Sequence, residues 1–310
     1  MATNPRWTYG KDRALQFRMY FVMFMLAVLY LFFVTVMMAL NVPIVLVIII
    51  AGVMLAIQWF GSDKIVLRSM NAKVVTPEEY PKLHAMVDRL VERAGIPKPK
   101  VAVAMTDVPN AFATGRNQKN ALVCMTQGIM QRLDDDELEG VMAHELTHIK
   151  NSDVKVMTLA SFFATVAALL MNMLMWMTLF GGMGRHRVGG GHGGSAAAAL
   201  MVAYLVSILV YFVATLLILA LSRYREYAAD RGAAFLTGAP SKLASALQKI
   251  SGVISRIPTD DLRKVETANA FFIVSALKGE SLAGLFASHP PMDKRIARLH
   301  ELARELEGRR

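Results

Sequence analysis

The sequence predicts an α+β protein that is mostly helical: an integral membrane protein with four transmembrane helices and a polar domain carrying a small sheet. Three observations carry that prediction. Hydrophobic residues make up 55% of the 310 residues. Four apolar runs without Lys, Arg, Asp or Glu are long enough to cross, or nearly cross, a bilayer core of about 30 Å. Two polar stretches, by contrast, show helix-period apolar stripes and short strand-like runs.

The first run, Met19 to Leu40, ends at Asn41-Val42-Pro43, and the second covers Ile44 to Phe60. The third runs from about Val156 to Phe180 and the fourth from about Ala196 to Leu221. Basic residues precede the first run as they would a signal peptide. Its apolar stretch far exceeds the roughly 7–15 residues of a signal h-region, and a second span follows at once, so it reads as a retained anchor. Gln58, beside Trp59, suits a membrane interface. Asn172, deeper in the third span, is expected to bond to a neighbouring helix.

The flanks set the orientation. Arg6, Lys11, Arg13 and Arg18 precede the first span, and Lys64 and Arg68 follow the second. Lys150 and Lys155 precede the third, and Arg223 and Arg225 follow the fourth. They outnumber Arg185 and Arg187 in the Gly181 to Gly194 loop, so two hairpins with cytosolic open ends satisfy the positive-inside rule. The expected organisation is an N-terminal hairpin over 1–60 and a second hairpin over 156–221. A cytosolic domain is then split between 61–155 and 222–310. The net charge of +10 lies largely beside the spans, where it meets the anionic lipid bilayer. It is no sign of nucleic-acid binding. The lone Cys124 excludes an internal disulfide and reads as a buried strand residue.

In the first polar stretch, Thr76 and Glu79 have capping-box spacing and Pro77 suits a first helical position. Leu83, Met86, Val87, Leu90 and Val91 form the buried stripe, and Gly95 with Pro97 ends the helix. His84 falls at the edge of that stripe and reads as packing. Strand-like runs follow at Val101 to Met105, Ala111 to Thr114 and Ala121 to Met125. An edge strand can hold an extended peptide through its main chain, and Asn110 to Gly115 is the candidate, with Asn110, Ala111, Phe112 and Ala113 as contacts. Asp134 to Glu137 then put negative charge at a helix start whose stripe is Leu138, Val141, Met142 and Leu146. Near the C-terminus, Ile296, Leu299, Leu302 and Leu306 mark an amphipathic, solvated surface helix carrying His300. The glycine-rich loop Gly189 to Gly194, with His186 before it and His192 within it, reads as a connector. It has no phosphate-cradle ending.

His144-Glu145-Leu146-Thr147-His148 carries the chemistry. Residues four apart share a helical face, so both imidazoles can hold one metal ion, and Glu145 can take the proton of a water on that metal. Catalytic zinc usually has three protein ligands, which calls for another group. Glu226 is the candidate. Asp230, four residues on, is placed to accept the outer N–H of a zinc-bound imidazole. Arg225 is expected to hold Glu226 or Asp230, or to meet lipid headgroups.

The His-Glu-x-x-His helix, the Glu226-x-x-x-Asp230 motif after a hydrophobic hairpin, and Ser288-His289-Pro290-Pro291-Met292-Asp293-Lys294-Arg295 resemble the HtpX group of membrane zinc metalloproteases. The Asn110 to Gly115 segment and the paired N-terminal spans match too, so the resemblance covers nearly the whole chain. It implies a zincin-like metalloprotease domain with one Zn2+, His144, His148 and Glu226 as ligands, and Glu145 as general base. It also favours His289 as a donor to the developing oxyanion, with Tyr224 and Tyr227 as weaker candidates. It further implies quality control of misfolded or damaged membrane proteins in the plasma membrane of a prokaryote. The CAAX prenyl proteases share the chemistry but carry more spans. Two rivals remain: a membrane protein whose zinc is structural or transported, and a non-proteolytic zinc-binding chaperone or adaptor. Glu145 argues against both, since neither needs a carboxylate between two ligands.

Overall fold

The computed structural model describes residues 12–42, 44–180, 193–254 and 289–308. In chain order the described elements are α1 (Arg13–Ala39), α2 (Ile44–Ser69), β1 (Ala72–Val74), α3 (Pro81–Ala94), β2 (Lys100–Ala104) and β3 (Ala111–Gly115). There follow β4 (Ala121–Thr126), α4 (Gln127–Arg132), α5 (Asp135–Lys150), α6 (Asp153–Phe180), α7 (Gly193–Thr237), α8 (Pro240–Ile254) and α9 (Met292–Glu307). The chain divides into two compact units. One comprises Phe17–Gln58 and Val156–Leu221, the other Met1–Gln16, Trp59–Lys155 and Ser222–Arg310.

The first unit is apolar on its outside as well as its inside. Phe17, Tyr20, Phe24, Leu31, Val45, Leu46, Leu159 and Leu205 are all more than half exposed. A water-soluble protein does not present such a surface, whereas lipid tails match it. The four expected spans lie in α1, α2, α6 and α7, each long and apolar enough to cross a membrane. Small residues let the helices approach closely: Ala51, Ala167 and Ala203 are buried beside Phe33, Met37, Leu170 and Val210. Asn41 turns the chain between α1 and α2 in the left-handed conformation, φ 55°, which asparagine tolerates better than most residues. Hydroxyls inside this unit find carbonyls, as an apolar medium demands. Tyr30 donates to Ala160 O at 2.6 Å and Ser207 to Ala203 O at 2.7 Å. Asn172 departs from expectation. Its amide donates to Ala168 O of its own helix at 2.9 Å, because Asn172 lies on an exposed face of α6, where the carbonyl one turn back is within reach. The side chain of Gln58 and the Gly181 to Gly194 loop up to residue 192 lie outside the described residues.

The second unit is built on a four-stranded sheet in the order β1-β2-β4-β3. Strands β2 and β4 are parallel and the outer pairings antiparallel. Every residue of β4 is buried, and Cys124 sits there at 0% exposure with its thiol pKa pushed up to about 12 by burial, so it is an inert core residue. The three anticipated strands are present, shifted by a residue at their ends. Strand β1 is three residues long and leaves no periodic trace, and α4 and α8 carry no expectation above. Thr76 and Glu79 do exchange hydrogen bonds, but they close a turn. The helix starts later, with Pro81 in its first turn, so Pro81 takes the role assigned to Pro77. His84 is buried against Val75 O at 3.1 Å, a packing residue as expected.

Helix α5 lies against the sheet, α3 and α8. Its start is fixed by a reciprocal box: Glu137 N donates to Asp134 Oδ1 at 2.8 Å and Asp134 N to Glu137 Oε2 at 3.0 Å. Gly140 lets α8 come near, since a Cβ there would stand 3.2 Å from Leu243 N. Val141, Met142, Ala143 and Leu146 are fully buried. The helix is thereby locked in rotation, and that rotation decides where His144 and His148 point.

Candidate metal centre

His144 and His148 stand one turn apart on α5, with Nε2 atoms 3.2 Å apart. Glu226, on α7, brings Oε2 to 3.6 Å from His144 Nε2 and Oε1 to 3.4 Å from His148 Nε2. One donor atom from each of the three lies within 4.8 Å of the others. Two imidazole nitrogens and a carboxylate converging on one point form a donor set suited to a divalent cation.

The surrounding charges fit a cation as well. His144 Nδ1 is 3.0 Å from Asp230 Oδ1. Burial works against a charge on that imidazole, but Asp230 and Glu226 outweigh it and raise its proton affinity. The site draws positive charge onto His144, which a bound metal ion would supply in a proton's place. Burial would likewise raise the Glu226 carboxyl. His289 and Arg295 prevail and hold it well below the usual range, so it is ionised and ready to ligate.

Two residues that sequence reasoning missed complete the centre. Arg295, on α9, is fully buried. Its Nε and Nη2 donate to Asp230 at 2.8 and 2.6 Å, and its Nη1 lies 3.2 Å from Glu226 Oε2. Burial disfavours its charge, but Asp230 and Glu226 raise its proton affinity above the ordinary value. The signal was present: Arg295 falls in the same stripe as Leu299, Leu302 and Leu306. The helix expected to be a solvated surface element therefore drives a guanidinium into the core. Asp153, at the start of α6, is the other. Its Oδ2 lies 2.5 Å from His148 Nδ1 and 2.8 Å from Arg225 Nη2. Arg225 thus holds Asp153 and not Glu226, Asp230 or lipid. A side chain pointing back towards α6 finds Asp153 first.

The remaining expected residues are placed as follows. Glu145 is 4% exposed and makes no hydrogen bond or ion pair among the described residues, although it contributes to the field on Arg295. His289 reaches the cluster, with Nδ1 3.2 Å from Glu226 Oε2, while Ser288 before it is outside the described residues. Tyr227 lies under the Arg298 guanidinium at 5.0 Å. His300 is exposed. Strand β3 is an edge of the sheet. The side chains of Asn110, Ala111 and Phe112 are buried and that of Ala113 partly so, which leaves the backbone as what this edge offers. Thr126 pins Asn110, accepting from its N–H at 2.9 Å and donating to its carbonyl at 3.0 Å. Ala113, Thr114 and Gly115 line one hollow together with His148 and Asp153.

An apolar helical unit, together with a sheet-backed helix that turns two histidines towards a buried glutamate, defines a membrane metallopeptidase. The comparisons agree. The family model "Peptidase family M48" matches residues 77–303. The chain is 52% identical to "Protease HtpX homolog" of Moorella thermoacetica over 97% of this chain and 98% of that one. It is 49% identical to "Protease HtpX homolog 2" of Methanosarcina mazei over 96% and 98%. The chain belongs to peptidase family M48, among the HtpX proteases. In fold it is similar to the crystal structure of S. mikatae Ste24p, with a TM-score of 0.55 at 17% identity. That match covers 88% of this chain and 62% of Ste24p.

Proposed function

We propose that the chain is a zinc-dependent endopeptidase that cleaves misfolded or damaged membrane proteins at the cytosolic face of the plasma membrane. The observation that carries the reading is the convergence of His144, His148 and Glu226 beside Glu145, a carboxylate held by no partner among the described residues. A merely structural metal site has no use for such a group.

In this reading the polar stretches 61–155 and 222–310 act as one protease domain interrupted by a hairpin. His144, His148 and Glu226 hold one zinc ion, and Asp230 orients His144. Zinc bound there supplies a Lewis acid that polarises the scissile carbonyl and acidifies water. Glu145 takes the water's proton as attack proceeds and passes it to the leaving amine. His289 donates to the oxyanion, and loss of such a donor costs about 10²–10³ in rate. The outer strand β3, with Asn110 just before it and residues 111–113 along it, receives the substrate as an added strand. Its hollow, shared with His148, supports that placement. The basic flanks support a cytosolic domain. A few residues separate His148 and Glu226 from the apolar unit's boundaries at Val156 and Leu221, which supports cutting close to the bilayer.

The test is cleavage of an unfolded membrane-protein substrate by metal-free enzyme before and after zinc addition, with Glu145→Gln alongside. The wild type regains cleavage on adding zinc. The variant binds about one zinc yet stays lower by about 10²–10⁴. If both forms bind zinc and neither cleaves, the reading is overturned.

A further inference from the structure

Each imidazole of the cluster has a carboxylate behind it, and each carboxylate has a buried arginine. For His144 these are Asp230 and Arg295, both already described. For His148 they are Asp153 and Arg225, which the proposed reaction does not use. Asp153 is 5% and Arg225 4% exposed. One oxygen of Asp153, Oδ2, is shared between His148 Nδ1 at 2.5 Å and Arg225 Nη2 at 2.8 Å. Arg225 Nη1 also donates to the backbone carbonyl of Asp153 at 2.5 Å. The guanidinium therefore grips both the main chain and the side chain of the aspartate, fixing its position and its rotamer.

This arrangement is poorly explained as a simple staple between α6 and α7. Buried ion pairs seldom stabilise a fold more than apolar packing would. A staple would also leave the carboxylate to the arginine alone, yet here the oxygen the arginine holds is shared with an imidazole, and the arginine's second N–H goes to the backbone carbonyl. His148 is the cluster member that needs the help. Its side chain is 18% exposed, against 1% for His144 and 9% for Glu226, so packing constrains its ring least.

We propose that Asp153 and Arg225 form a positioning pair for His148. Arg225 aims the Asp153 carboxylate, and Asp153 holds the proton of His148 on Nδ1. The lone pair of Nε2 is thereby kept turned towards His144 and Glu226, where a cation is received. The pair also joins the places where the chain leaves the polar unit after Lys155 and returns at Ser222, so metal affinity depends on those two crossings staying clasped. The inference rests on the metallopeptidase reading for the identity of the cation. It does not rest on catalysis.

The experiment uses the full-length protein in detergent with Asp153→Asn, Arg225→Lys, Arg225→Met and the Asp153→Asn/Arg225→Met double variant. Zinc affinity is read by competition with a chromophoric chelator. Cobalt substituted for zinc reports ligand geometry through its visible absorption, and melting of the metal-free protein reports the fold. Asp153→Asn keeps the shape and is expected to weaken zinc binding by about 10–100-fold and to shift the cobalt bands. Arg225→Met is expected to do likewise, Arg225→Lys less. The double variant is expected to be little worse than Asp153→Asn alone, as for residues acting in one chain of contacts. If Asp153→Asn and Arg225→Lys lower the melting temperature while affinity and cobalt spectrum match the wild type, the pair is a staple and the proposal is overturned. A wild type that binds metal but cleaves nothing overturns the peptidase reading and leaves the affinity result standing. A wild type that takes up neither metal overturns both.

Discussion

Arg295 is the residue on which the charge balance of the centre turns. It is fully buried and serves two carboxylates, one the expected metal ligand Glu226 and the other Asp230, which stands behind His144. Replacing it by methionine keeps much of the volume but strands both acids in a dry site. Arg295→Met is therefore expected to destabilise the metal-free protein by about 3–5 kcal/mol, read by denaturant or thermal unfolding. The deficit shrinks when zinc is present, because a divalent cation restores the missing charge. Residue by residue, the sequence was most informative where the proposed ligands and base are local. His144, Glu145 and His148 fall within five positions of one helix, and their geometry follows from helical periodicity alone. Asp153 and Arg295 were missed for other reasons. Asp153 is only five residues from His148 but lies past the end of α5, after the left-handed turn at Ser152, where helical periodicity no longer places it. Arg295, though in register with its helix's stripe, acts on Asp230 across 65 residues, while a charge on an amphipathic helix ordinarily faces water.

Helix α5 shows how an element turns sequence into site geometry. Its N-terminal box is tied to α8, because Glu137 also accepts from Ser245 at 2.7 Å and Lys249 at 2.7 Å. Burial alone would raise the Glu137 carboxyl, but those donors and the Asp134 backbone hold it below its ordinary value of 4.5. A carboxyl depressed in the folded state adds stability above its unfolded pKa and loses it as pH falls through the folded one. Glu137→Gln is thus expected to cost about 1 kcal/mol at neutral pH. The variant should also flatten the loss of stability below about pH 4.5, as followed by unfolding across an acid series. An acid limb identical to that of the wild type would show that the box carries no linkage. The start of α5 and its stripe were readable in the sequence, as were the three longer strands. The start of α3 was not, since the Thr76–Glu79 exchange serves a turn as well as a helix. Nor was the 45-residue length of α7, because the pattern changes character at Ser222 while the backbone does not.

At the scale of the whole molecule, a hairpin separates the two histidines of the cluster from Glu226 in sequence. The apolar unit and the polar unit are each discontinuous in the chain, and the polar unit is completed only after both segments of the apolar one have been threaded. The four spans were legible because lipid demands long uncharged runs, and the cluster was legible because the motifs come in order. If the centre works beside the bilayer, unfolded membrane proteins in the same vesicles are cleaved well and a soluble peptide of the same scissile sequence poorly. Equal cleavage of both, measured as kcat/KM in reconstituted vesicles, contradicts that placement. The central claim is that His144, His148 and Glu226 together hold one zinc ion, and X-ray absorption at the zinc edge of the loaded protein tests it most directly. The account predicts one zinc per chain with two imidazoles and oxygen ligands at about 2.0–2.2 Å, and a changed first shell in Glu226→Gln. A sulfur scatterer at about 2.3 Å, or a spectrum that Glu226→Gln leaves untouched, would contradict it.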